Sequence, residues 1–183
     1  MPLNSFRKDF GMLDIDPKDR DNTQANIVST FQAGCFFGAL LTFPAAERLG
    51  RRLTILVAAA IFVLGGTLMT AARGDINLII GGRAIAGLGI GATSMCVPVY
   101  ISETAPPSIR GRLVGIFEIA SQGGGMLGFW INYATAQTIP DSSIAQWTIP
   151  LALQLVPGVL LFLGMLFNPE SPRWLARRDR FEE

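Results

Sequence analysis

Residues 98–112 read P-V-Y-I-S-E-T-A-P-P-S-I-R-G-R, from Pro98 to Arg112, and join two long apolar segments. Pro98, Pro106 and Pro107 are expected to stop a helix from running straight through, because each lacks a donor and restricts the residue before it. One carboxylate, Glu103, stands close in sequence to two guanidinium groups, Arg110 and Arg112. A charged, proline-broken link between hydrophobic runs belongs where water meets a bilayer.

Outward from that link, five apolar stretches are each close to the roughly 20 residues that cross a membrane. They cover residues 25–45, 53–72, 77–97, 113–134 and 147–167. Apolar residues fill all faces over lengths beyond any ordinary strand, so the spacing predicts an all-α membrane protein with five transmembrane helices. Only 16% of the 183 residues are charged, against about 25% in an ordinary soluble domain. Glycine is abundant inside the spans (Gly65, Gly66, Gly81, Gly82, Gly87, Gly89, Gly91 and Gly123 to Gly125), where small residues let helices approach closely in lipid.

Basic residues in short loops set the orientation. If the spans alternate, Arg48, Arg51, Arg52, Arg110, Arg112, Arg173, Arg177, Arg178 and Arg180 share one side, which is expected to be cytoplasmic. Residues 1–24 then form a polar non-cytoplasmic segment, 25–168 a half-bundle of five spans, and 169–183 a cytoplasmic tail. Residues 1–22 lack the apolar core of a secretory signal. An odd number of spans after an external, unsignalled amino terminus suggests a missing piece.

Several function classes drop out. The net charge is +1 and the arginines are scattered over separate loops, which does not make a nucleic-acid patch. There is no His, so the commonest general base and metal ligand are absent. No nucleophile–base pair, metal cluster or cofactor motif is visible, and no enzyme activity is expected. Cys35 and Cys96 lie in apolar runs, where packing is the expected role.

Four motifs carry more. Glu47-Arg48-Leu49-Gly50-Arg51-Arg52 reads plainly as a positive-inside anchor, or as a turn whose guanidinium groups bind neighbouring helix ends. Arg83, followed by Gly87 and Gly91, is a charge within a span; it either snorkels to the outer interface or faces a polar interior. The glycines suit helix packing, and without a preceding strand they do not make a phosphate loop. In the fourth span Glu118, Gln122, Gly125, Phe129 and Asn132 fall within about 40° of one line at helical spacing. Such a stripe lines a cavity or forms an interhelical hydrogen-bond seam. Pro169-Glu170-Ser171-Pro172-Arg173-Trp174-Leu175 is a capped exit with an interfacial Trp174.

Together these runs resemble the sugar porter family of the major facilitator superfamily. Residues 98–112 match P-x-Y-x-S-E-x-A-P-x-x-x-R-G-R; Glu47 to Arg52 is similar to D-R-x-G-R-R, with Glu47 where Asp is usual; R-x-x-x-G-x-x-x-G begins at Arg83; and P-E-S-P-R-W-L follows the last span. The resemblance implies helices two to six of a twelve-helix carrier, an incomplete N-terminal half. It implies transport of a sugar or sugar-like organic acid by alternating access, through a multi-pass protein of the plasma membrane. The run R-G-R-L-V-G-I-F-E looks closer to fungal quinate-permease-type members than to glucose carriers. By the same resemblance Glu118, Gln122 and Asn132 face substrate. Arg83 serves proton coupling in members that are symporters. Glu47, Arg51, Arg52, Glu103, Arg110, Glu170 and Arg173 form a cytoplasmic charge network that pairs in one state and parts in the other. The expected partners are the lipid bilayer, the small-molecule substrate with H+ in a symporter, and a full-length carrier or the missing half; nucleic acid is not among them. No cofactor is implied. A rival reading is a non-transporting membrane partner or sensor derived from a sugar carrier.

Overall fold

The computed structural model describes residues 4–11, 16–140 and 143–177. Within them all regular structure is helical. A short α1 (Asn4–Asp9) precedes α2 (Pro17–Leu49), α3 (Arg51–Ala71), α4 (Ile76–Thr104) and α5 (Arg110–Thr138). The chain ends in α6 (Ala145–Leu153), α7 (Leu155–Phe167) and a short α8 (Pro172–Arg177).

Local chemistry sets the starts. Asp16 accepts the Lys18 N–H at 3.4 Å with Pro17 at the first helical position of α2, a favourable cap followed by a ring that needs no donor. Asp75 caps α4 by accepting the Asn77 N–H at 2.9 Å. Helix α2 therefore starts inside the segment expected to be polar and external, and the first span is longer than its apolar run.

Tertiary packing centres on α4, which lies along both α2 and α3. Glycine makes this closeness possible. A Cβ on Gly38 would enter the Leu88 backbone, and one on Gly91 the Cys35 carbonyl. A Cβ on Gly89 would sit 2.6 Å from the Phe62 nitrogen. Gly158 of α7 receives the Phe62 ring of α3 in the same way. The expectation of close helix approach thus holds in α2, α3, α4 and α7. It does not hold at Gly81 of α4 or at Gly123, Gly124 and Gly125 of α5, where a Cβ would meet nothing within 4 Å.

Among the described residues, four stretches are long and apolar enough to cross a membrane: Pro17–Leu49, Arg51–Ala71, Ile76–Thr104 and Ala145–Phe167. The fifth expected span lies inside α5, which at 29 residues is about 43 Å long at 1.5 Å per residue. Its polar stripe lowers its hydropathy, and it buries one residue, Thr135. Phe36, Phe37, Leu40, Leu41, Leu160 and Leu163 stand exposed on the other spans, as lipid-facing side chains do. The multi-pass membrane architecture stands, with α5 carrying the least apolar of the expected spans.

Proline behaves differently from one site to the next. The expected stop at Pro98 does not occur: α4 continues through it to Thr104 and ends before Pro106. One missing donor in a long, well-packed apolar helix is tolerated, because neighbouring elements hold the backbone in place. The last span does break. Gln154 separates α6 from α7, one residue after Leu153, whose carbonyl Pro157 cannot serve and whose position its ring crowds.

Candidate functional site

At the arginine-bearing end, three separate runs of sequence meet. Arg51 opens α3 and is buried. Its Nε lies 3.0 Å from Glu103 Oε2, and its Nη2 donates to Glu103 Oε1 at 3.0 Å. The remaining Nη1 donates to the Ala46 carbonyl at 3.0 Å. Ser171, fully buried, donates its hydroxyl to Glu103 Oε2. One carboxylate at the end of α4 therefore joins the start of α3 to the run after α7. Charge-assisted bonds of this kind are roughly twice as strong as neutral ones.

Glu170 does something other than pair with an arginine side chain. Its carboxylate accepts the backbone N–H of Arg52 at 2.9 Å and 3.2 Å and the Ser171 N–H at 2.9 Å. It sits on the N-terminus of α3, where unpaired amides and the helix dipole favour an anion. The Arg52 side chain works in the opposite sense, donating to the Met165 carbonyl at 3.2 Å and the Leu166 carbonyl at 2.6 Å at the end of α7. Glu170 thus satisfies the open start of α3, and Arg52 the open end of α7. Trp174 Nε1 donates to the Glu47 carbonyl at 3.0 Å, and Tyr100 donates its hydroxyl to the Pro169 carbonyl at 2.8 Å. Of the expected network, Arg51, Arg52, Glu103 and Glu170 are brought together, and Glu47 joins through its backbone. Arg110 and Arg173 form no ion pair within 4 Å among the described residues. Arg173 is exposed on α8.

Arg83 lies in the second turn of α4, near the opposite end. Its guanidinium carbon is 5.7 Å from the Phe31 ring centroid, within cation–π range. It borders a cavity of about 390 Å³ shared with Gln24, Asn132, Trp147 and Gln154. Helix α1 closes one side of this cavity with Phe6. It is docked by Trp147 Nε1 donating to Asp9 Oδ2 at 2.7 Å and the Ser5 N–H donating to Gln146 Oε1 at 3.3 Å. Phe6, Phe10 and Trp147 pack as an aromatic trio with centroids 4.4–5.9 Å apart.

The α5 stripe divides. Asn132 borders the Arg83 cavity and donates to the Gly128 carbonyl at 2.8 Å. Glu118 and Gln122 lie outside it, exposed, with Gln122 donating to Glu118 Oε1 at 3.1 Å. No group of three or more His, Cys, Asp or Glu among the described residues could hold a metal ion. Sequence reasoning overlooked Ser171, Gln24 and Gln154. Ser171 was visible within its motif, but nothing in one chain's sequence shows that its hydroxyl meets Glu103. Gln24 fell in the segment read as an external tail.

Comparison with known proteins gives one consistent picture. The family described as "Sugar (and other) transporter" matches residues 1–183. A probable quinate permease of Aspergillus clavatus is 51% identical over 185 residues, covering 100% of this chain and 34% of the relative. A quinate permease of Neurospora africana is 47% identical over 186 residues, with the same coverage. The chain thus spans about a third of the length of the curated relatives it matches. Among solved structures, the proton:xylose symporter XylE bound to 6-bromo-6-deoxy-D-glucose superposes with a TM-score of 0.86 at 28% identity. It covers 97% of this chain and 42% of that one. An inward open conformation of the xylose transporter XylE from E. coli gives 0.82 at 28% identity, over 96% of this chain and 44% of that one.

Proposed function

This chain belongs to the sugar (and other) transporter family, and on that premise we propose that it supplies half of a carrier that moves a sugar or sugar-like organic acid across the plasma membrane by alternating access. Its relatives are permeases and a symporter, not enzymes. The observation that carries the reading is the joint at the arginine-bearing end. Glu103 and Glu170 hold α3, α4 and the run after α7 together at one end of the bundle. Such a joint biases a two-state equilibrium by a few kcal/mol when its members part together. This end faces the cytoplasm, in keeping with its arginines, and residues 169–183 form a tail there.

Glu118, Gln122 and Asn132 face the substrate path, and Arg83 serves coupling. Support comes from exposure: Glu118 and Gln122 stand uncovered on α5, and an acid on an intramembrane helix calls for a polar path or a covering partner. A half-site of this kind does not transport alone. Liposomes holding the 183-residue chain should accumulate no labelled quinate or glucose, while a longer product of the same gene should take up one of them. Saturable uptake by the short chain would sink the half-carrier reading.

A further inference from the structure

Helices α2 and α3 join on the single residue Gly50 and then lie along α4 rather than along one another. A groove of about 170 Å³ is left between them, with Leu88 and Ala92 of α4 as its floor. Gly38, Thr42, Thr54 and Ala58 line it and are buried, whereas Leu41, Leu49 and Val57 line it and stand exposed. Its rim therefore opens sideways from the bundle, on the surface that lipid covers. The Gly50 turn closes one end, and Gly38, pressed on the Leu88 backbone, closes the other. From Gly38 to Leu49 the helix rises about 16 Å, roughly half of a hydrocarbon core of about 30 Å. The groove is thus one leaflet deep, on the arginine-bearing side.

Its lining offers nothing to a polar ligand. The two hydroxyls, on Thr42 and Thr54, donate to the Gly38 and Gly50 carbonyls of their own chain turn, at 2.7 Å each. Every other lining residue is aliphatic or glycine. At the open end, charge complements shape. Gly38, Ala45 and Leu49 mark the mid-line of the α2 lining. At 3.6 residues per turn Arg48 lies about 80° from that line, on the side of Leu41, and Glu47 lies on the opposite face. Arg48 is exposed there.

We propose that this groove binds one acyl chain of an anionic phospholipid whose phosphate sits at Arg48. Lipid tails are as apolar as the helix surface, so no hydrophobic effect draws a chain in. A chain seated against α2, α3 and α4 gains dispersion contacts on three sides, and a guanidinium suits a phosphate. A protein helix, about 10–12 Å across, is too thick for a space of about 170 Å³. This site is independent of the carried substrate and requires only that α2 and α3 cross a bilayer.

Native mass spectrometry of the delipidated chain in micelles, titrated with phosphatidylglycerol, should show one saturable adduct. Single-chain lysophosphatidylglycerol should displace it, and glycerol phosphate, a headgroup without a tail, should not. Phosphatidylcholine should bind about two- to fivefold more weakly, and Arg48→Gln should remove that difference. Ala45→Phe fills the groove and should weaken phosphatidylglycerol about tenfold, the worth of roughly ten carbon contacts. Leu160→Phe, on the exposed face of α7, should leave it unchanged. Circular dichroism reports whether Ala45→Phe is folded; if it is not, Leu41→Ala, which removes part of the rim, serves in its place with an expected loss of about threefold. No saturable adduct, displacement by glycerol phosphate, equal effects of the groove and α7 variants, or an undiminished preference in Arg48→Gln overturns the proposal. A longer product of the gene adds a second arm. An adduct kept there, with the same dependence on Ala45, supports the lipid. Its loss places a protein segment in the groove and overturns the proposal. None of these readouts is transport, so the lipid site can fail while the carrier reading stands.

Discussion

Replacing Gly50 with alanine tests the arginine-bearing joint at its narrowest point. Gly50 links α2 to α3 with φ 95° and ψ 161°, a region open in practice to glycine alone, where a side chain costs about 1–3 kcal/mol. Its Cβ would also stand 2.5 Å from Glu170 Oε2, so the carboxylate must leave the Arg52 and Ser171 amides it now accepts. Hydrogen bonds to a charged group contribute about 1.5–3 kcal/mol, and partial exposure of Glu170 keeps this loss near the lower figure. Gly50→Ala should therefore cost about 2.5–4.5 kcal/mol when both terms act. Reversible unfolding in mixed micelles, followed by circular dichroism, measures it. In a Glu170→Ala background the second term is already gone, and the same substitution should cost only about 1–3 kcal/mol. A cost below about 1 kcal/mol in the parent chain, or equal costs in both backgrounds, refutes the reasoning.

Three further outcomes follow from the packing of the joint and of the helix crossings. Glu103→Ala leaves the Arg51 guanidinium, whose side chain is 10% exposed, buried without its partner, and should destabilise by about 3–5 kcal/mol; a double-mutant cycle with Arg51→Ala should recover much of that, and strict additivity would exclude the pair. Gly91→Leu drives a side chain into the Cys35 carbonyl and should separate α2 from α4, read as a loss of the cooperative melting transition. Gly81→Ala, with nothing within 4 Å, should instead be neutral or gain up to about 1 kcal/mol of helix propensity. Similar melting of the two glycine variants would contradict the crossing geometry.

The helical membrane class was legible because it rests on local composition and on long apolar runs, whereas the partner of Glu103 was not: sequence sets it beside Arg110 and Arg112, and the fold gives it Arg51. Hydrophobic length reports the bilayer directly, since lipid satisfies no backbone group. Other features were hidden. Pro98 reads as a stop but sits within a continuous helix, whereas Gln154, an ordinary helix residue, marks the break. Proline's effect depends on what packs around the carbonyl it cannot serve.

The same limit governs the two ends of the bundle. Glu170 and Arg173 are neighbours in one motif, yet only Glu170 reaches the N-terminus of α3, while Arg173 is exposed on α8. Gln24, Arg83 and Gln154 are far apart in the chain and converge on one cavity because glycines bring α2 and α4 together and α6 breaks where it does. Residue order alone determined which segments enter lipid and which charges ride at their ends, since burial in a bilayer depends on each segment's own polarity. Which donor meets which acceptor was decided by the crossings of the helices, because hydrogen-bond reach is a matter of ångströms that spacing along one chain does not encode.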